Sequence, residues 1–554
     1  MKLSLPTQLV LILFQLVTHS TLAQSLASDS NLRGVVSNNR TFENIECTLF
    51  LKETRFMIPS SNDHEEKTFF DEEKWSCEFR ILSEAENLDA NGIVRTTIEL
   101  EGLDEGFLES QGARSGHSTL LVSKAIIGGN DGRQVLAISP TSVVQILEHP
   151  NDVNNTSRRR RELVTSSGTL KALVVRVISK NGIEPSVSID QLRSDVFEDK
   201  LCLKSQYAAC SYGRLEIEPF SGTTKTGRKI NGGVVDVKID VNPTNGNRDL
   251  LEADAKKRAI EMYGELASQF DIVLFSIPPG TGDWLAYAYI NRFDSYYNNM
   301  WSSSVSAQVH EVGHNLGLAH SGEASNSYGD QSGMMGYSYD ADDAPNMCFN
   351  PAKNYQLGWY AEQQRFLNPL TDILAKTSDN SNSLEYVLNG VDDFQFGRNG
   401  SRDKLIVLRL KQQNLPEDFY LGFNRKAGMN SGTVENANDV IVVKKTGGPI
   451  EYGQSWKMSK LSTMGDSYTI TNFDGSSYDV TVELISIVGK DAKLQISVKN
   501  SAPCSQVEDS NDLRFKNKGK KNCAWVSKLK RRRCSKTWKN ELLSEWCPRA
   551  CGSC

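Results

Sequence analysis

The sequence predicts a multidomain chain. An α+β unit, built of a twisted sheet plus a helix that carries a histidine motif, comes first. A β-sandwich-like unit and a small disulfide-rich unit follow it. Three observations lead there. Apolar strand and helix patterns run from Leu170 to Ile290 and stop short of the string His310-Glu311-Val312-Gly313-His314. Beyond about residue 365 the helical period fades into short β-rich runs separated by turn residues. Six cysteines then crowd residues 504–554.

At 554 residues the chain is too long for a single core. Hydrophobic residues make up 39% and charged residues 23%, so there is enough apolar mass for ordinary globular units. A formal charge of -6 provides no basis for nucleic-acid partners or for an anionic membrane surface.

In chain order, residues 1–23 read as a signal peptide. Lys2 precedes the apolar run Leu9 to Phe14, and Thr21-Leu22-Ala23 offers a small-x-small cleavage site. The run is too short to span a bilayer and no later stretch approaches that length, so a secreted protein without a transmembrane anchor is expected. Residues 24–161 read as a propeptide ending in Arg158-Arg159-Arg160-Arg161, a site for a furin-like processing protease. Asn154 and Asn155 beside that run, with Asn39 and Asn399 elsewhere, are N-glycosylation acceptors typical of exposed loops.

Residues 162–365 form the predicted catalytic unit. Leu170–Ile178 and Asp271–Ile277 read as buried strands, and Trp284–Ile290 as an alternating one. Ala255, Ala259, Met262, Leu266 and Phe270 recur at helical spacing, which predicts a helix over Glu252–Phe270. Residues 366–500 supply the strand runs Leu405–Leu408, Phe419–Phe423, Val440–Val443, Tyr478–Val488 and Leu494–Val498. The last unit, 504–554, is too small for a core and would be stapled through Cys504, Cys523, Cys534, Cys547, Cys551 and Cys554.

The chemistry lies in His310-Glu311-Val312-Gly313-His314-Asn315-Leu316-Gly317-Leu318-Ala319-His320. On a helix, His310 and His314 stand one turn apart on one face, with Ser302, Ser303 or Ser304 as candidate caps. Gly317 suits the left-handed turn that would end the helix and let His320 return as a third ligand. Three neutral imidazoles leave a fourth position for water, the arrangement of a catalytic zinc. One Zn2+ is expected; calcium stays open as a further ion, with no motif that indicates it. Glu311, next to a ligand, is placed to take the proton of the attacking water. The chain has seven histidines, and the only three after the Arg158–Arg161 run are these.

This string resembles the metzincin signature, and Gly333-Met334-Met335-Gly336-Tyr337 resembles the methionine turn that follows it in that clan, with Met335 as the turn residue and Met334 as the alternative. The resemblance implies a metzincin-like catalytic domain. It also gives Tyr337 a role as a zinc-reaching phenol that stabilises the tetrahedral intermediate, against the plainer reading of an aromatic packed under the cleft. Ser205–Gly213, Ile277–Tyr289 and Cys348–Tyr360 resemble the gametolysin (M11) peptidases. That likeness implies a zinc endopeptidase acting on protein or peptide substrates of the extracellular matrix or cell wall. Some members carry Gln at the first ligand, where this chain has His310. The ending Cys547-Pro548-Arg549-Ala550-Cys551-Gly552-Ser553-Cys554 resembles a ShKT domain, which implies pairings Cys504–Cys554 and either Cys523–Cys547 or Cys523–Cys534. Cys47 and Cys77 are expected to pair with each other, and Cys202, Cys210 and Cys348 leave one cysteine over.

The rival reading is a catalytically inactive matrix-binding or adhesion protein of the same fold, and the intact Glu311 argues against it. Replacing Arg158 to Arg161 together by Ala should leave a larger, latent secreted form. Electrophoresis and N-terminal sequencing check this, and a mature N-terminus far from Glu162 would contradict the boundary.

Overall fold

The computed structural model describes residues 40–58, 68–82, 93–103, 105–128, 135–148, 165–336, 343–374, 382–395, 404–500 and much of 509–551. The expected signal peptide, Arg158–Arg161, Asn39, Asn154, Asn155, Asn399, Tyr337, Cys504 and Cys554 lie outside the described residues. Two units emerge. The first holds the described residues up to Tyr207 together with 215–317; the second holds 208–214, 318–336 and the described residues from 344 onward.

The first unit is organised by a mixed sheet. Its N-terminal strands are β1 (Arg40–Ile58), β2 (Thr68–Leu82), β3 (Ile93–Glu101), β4 (Ser118–Gly128), β5 (Val135–Ile138) and β6 (Val144–Glu148). Then come β7 (Gly168–Ile178), β8 (Leu215–Pro219), β9 (Val234–Lys238), β10 (Ile272–Ile277), β11 (Trp284–Tyr289) and β12 (Asp294–Asn298). The order is β9-β7-β10-β12-β11-β1-β2-β3-β5-β4-β6, with β8 on β7. Strands β7 to β10 and β12 run parallel, whereas β11 is antiparallel to β12.

The expected strands therefore form, and β10 shows why they read as unbroken apolar runs: all six of its residues are buried, as parallel strands covered on both faces must be. The expected helix is shorter than its periodicity suggests. Helix α1 (Arg248–Tyr263) stops at Gly264, whose φ of 86° breaks the α ladder, and Leu266 and Phe270 reach the core from a 3₁₀ turn and the loop after it. Leu251, Ala255 and Ala259 of α1 share a core with Val273, Phe275, Ile277, Trp284, Tyr287 and Tyr289 on one face of the sheet. Helix α2 (Val305–Asn315) contacts β11 and β12 but contributes nothing to that cluster, so it covers the opposite face.

The N-terminal strands were not legible in advance. Strand β1 pairs with β4 along Arg40–Thr48, then continues antiparallel to β11 with Lys52 opposite Tyr289, Glu53 opposite Ala288, Thr54 opposite Tyr287 and Phe56 opposite Trp284. Strand β2 flanks it on the other side, and Cys47 bonds Cys77 across that pair, as expected.

In the second unit two sheets share one apolar core. One has the order β13 (Ser321–Glu323), β20 (Ser455–Leu461), β19 (Val440–Lys445), β18 (Asp418–Phe423), β17 (Val407–Leu410), β14 (Gln364–Leu367). The other runs β16 (Lys404–Leu405), β15 (Ser383–Leu388), β23 (Asp491–Asn500), β22 (Tyr478–Val488), β21 (Ser467–Ile470). Leu408, Leu421 and Val442 of the first sheet meet Leu388, Val482 and Leu494 of the second, a sandwich arrangement. The run Leu405–Leu408 is divided between the sheets, with Ile406 as the link. The first sheet does not begin near residue 366: its edge strand β13 follows directly on His320. At the C-terminus the described disulfides are Cys523–Cys547 and Cys534–Cys551, so the first of the two Cys523 alternatives is the one formed.

A buried carboxylate ties α1 to the sheet. Glu252 accepts the Tyr287 hydroxyl at 2.7 Å and the Tyr289 hydroxyl at 2.8 Å. Burial, reinforced by this carboxylate, holds both phenols well above their ordinary pKa. Glu252→Ala should therefore destabilise the first unit by about 2–4 kcal/mol, because two buried donors lose their acceptor. Urea unfolding measures it, with Tyr287→Phe and Tyr289→Phe as milder single losses.

Candidate metal centre

Helix α2 builds the first part of the site. Its N-cap is Ser304, one of the three candidate serines, but the hydroxyl pairs with Ser306 at 3.1 Å and makes no side-chain cap. The helix is instead pinned from its flanks. Tyr207 donates its hydroxyl to the Val309 carbonyl at 2.9 Å, and the Asn315 amide donates to the carbonyls of Tyr289 and Asp294 at 3.2 and 3.1 Å. Every α2 residue is buried.

On this helix the His310 and His314 rings lie 4.8 Å apart at 83° to each other, each 1% exposed, with Glu311 between them in sequence at 4%. Tyr297, on β12, stands close enough to Glu311 to feel its charge. Burial, with the Glu311 carboxylate adding to it, pushes its phenol well above the ordinary value.

The helix ends where a glycine was expected to end it. Gly317 has φ +82°, its N–H bonds the His314 carbonyl at 2.9 Å, and a Cβ there would stand 2.4 Å from Asn291 Oδ1. Backbone conformation and space both demand glycine.

Three residues later His320 is 1% exposed and held by its neighbours in the second unit. The Ser455 N–H and hydroxyl reach its carbonyl at 3.2 and 3.3 Å, and β13 then continues alongside β20. Its Nε2 lies 2.7 Å from the hydroxyl of Tyr328, a buried residue whose ring centre is 4.0 Å from that of the histidine. Tyr328 was not foreseen: it sits eight positions past the motif in an irregular loop, with no spacing to mark it. Tyr337, given the phenol role by resemblance, lies outside the described residues.

Met334 and Met335 are both fully buried in a single 3₁₀ turn, Met334–Gly336. The flanking glycines are there for want of space. A Cβ on Gly333 would meet the Asn350 nitrogen at 2.4 Å, and one on Gly336 the Asp330 carbonyl oxygen at 2.0 Å. Asp330 in turn accepts from Asn350 at 2.8 Å, and the Cys348 carbonyl accepts the Met334 N–H at 2.9 Å. Cys210 bonds Cys348, which leaves buried Cys202 as the odd thiol.

The ligand atoms of His310, His314 and His320 all lie within 4.8 Å of one another. Tetrahedral zinc with bonds near 2.0–2.1 Å wants its nitrogens roughly 3.3–3.5 Å apart, so a donor set of three imidazoles this close fits the ion. These histidines can bind a metal.

Residues 170–384 match the family model described as gametolysin peptidase M11. The matched segment contains all three histidines, Glu311 and Met335, and the match points to a metallopeptidase, a class whose metal is typically zinc. No curated protein and no solved structure matches the chain.

Gly317→Ala is the sharpest probe of how the third histidine is positioned. Left-handed strain and the clash with Asn291 should cost about 1–3 kcal/mol and weaken metal retention. Thermal unfolding and metal content after dialysis measure the two effects.

Proposed function

We propose that the protein is a secreted zinc endopeptidase of the metzincin type, made as a zymogen cut after Arg161 and acting on extracellular matrix or cell-wall proteins. The observation that carries this reading is the buried triad of His310, His314 and His320, with Glu311 on the helix that carries the first two. Zinc held there would act as a Lewis acid toward a peptide carbonyl and lower the pKa of a bound water. Glu311 takes the proton of the attacking water and passes it to the leaving nitrogen. In this reading Met335 marks the methionine turn, and residues 504–554 form a ShKT-like appendage.

Peptide is the favoured substrate class because the edge of β11 accepts an extended chain: β1 lies on it as an antiparallel strand, joined through main-chain pairing. Disulfides in both units suit export, and no helix among the described residues is long and apolar enough to cross a membrane.

Glu311→Ala should keep the fold and about one zinc per chain while peptide hydrolysis falls about 100-fold or more. His314→Ala should lose metal and activity together. Metal analysis alongside a peptide-library assay, with and without chelator, separates the two. Near-normal turnover by Glu311→Ala would move the base elsewhere.

A further inference from the structure

We infer that Glu53, on strand β1, is the group that keeps the uncleaved chain inert, by offering its carboxylate to the metal at the position a water would need. The inference rests on the metallopeptidase reading above and concerns what that reading left unexplained. A thiol from the N-terminal segment cannot cap the metal, because Cys47 and Cys77 bond each other.

The register delivers Glu53 to the site. Along β1, Phe50 packs into the core under α1, and Lys52 lies over the Tyr287 and Tyr289 rings on that same face. Side chains alternate across a sheet, so Glu53 points to the other face, the one α2 covers. Its cross-strand partner on β11 is Ala288, too small to intervene. There the Glu53 carboxylate lies 3.1 Å from His314 Nε2, with both side chains 1% exposed. The opposite neighbour on β2 is Glu73, whose ligand oxygen lies within 4.8 Å of that of Glu53, so the pairing adds negative charge beside a prospective cation site.

The strand is held firmly enough to deliver a ligand. Lys52 bonds Asp249 at 3.3 Å, and the Ile290 N–H donates to the Leu51 carbonyl at 2.9 Å. Ser115 bridges the Leu51 N–H and the Ile290 carbonyl at 2.9 and 2.7 Å. Arg292, 2% exposed, lies 3.4 Å from Glu78 of β2 and 3.0 Å from Asp294 of β12. Buried ion pairs and strand pairing of this kind fix a register, and the register is what aims Glu53. A carboxylate completing three imidazoles satisfies tetrahedral zinc and closes the open position that catalysis needs.

The test uses the full chain kept in one piece by Arg158→Ala to Arg161→Ala, loaded with Zn2+ or with Co2+ as a spectroscopic stand-in. Glu53→Gln keeps the shape of the side chain and removes its charge. It should still bind about one metal, but the visible cobalt bands should change, and a chelator should strip zinc roughly tenfold faster or more. Glu46→Gln, at an exposed position of the same strand, should leave the bands and the release rate near those of the parent. Unchanged bands and release in Glu53→Gln would overturn the inference while leaving the metallopeptidase reading intact. Equal changes in both variants would also overturn it, by showing a general charge effect. A parent chain that binds no metal would overturn both.

Discussion

Everything at the metal centre depends on the placement of one short buried helix. Two histidines a turn apart make a clamp only if the helix cannot slide or rotate, and α2 is fixed at several points. Tyr207 holds its middle, Asn315 ties its last turn to β11 and β12, and Gly317 releases the chain into the turn toward His320. They are what allows three imidazole nitrogens to converge instead of scattering over a mobile surface, the preorganisation that a metal site requires of its supporting shell.

His320 has its own supports within the β-rich part of the chain. The edge strand of that part begins at Ser321, and Ser455 of the neighbouring strand holds the His320 carbonyl. The same serine and Ser321 share the Asn350 amide, which also reaches Asp330, whose carbonyl crowds Gly336 of the Met334–Gly336 turn. His320 and the Met334–Gly336 turn are thus braced by one buried polar network. Such a network stabilises only when its members are satisfied together.

The N-terminal strands play the opposite part. A free sheet edge invites pairing, and β1 occupies the edge of β11 with main-chain bonds, aromatic contacts and buried charges. That the first unit is one sheet from β9 to β6 means the N-terminal segment is built into the fold around the site instead of tethered beside it.

What could be read from the sequence was what short-range spacing encodes. The interval between His310 and His314, the glycine that ends the helix, the buried run of β10 and the alternation of β22 are local patterns, governed by the geometry of a single helix or strand. Pairing of Cys47 with Cys77 was legible because few partners were available; the odd thiol among Cys202, Cys210 and Cys348 was countable but not assignable. The early end of α1 was missed because periodicity continued past Gly264, which closes the ladder. The tertiary structure alone decided that β1 passes from β4 to β11 while β2 stays on its other side, that Glu53 thereby reaches His314, that Tyr328 meets His320, and that a strand after His320 joins the sandwich. The reason is physical. Each of those contacts joins surfaces made by different elements, and an acidic residue in a strand or a tyrosine in a loop carries no mark of what will fold against it.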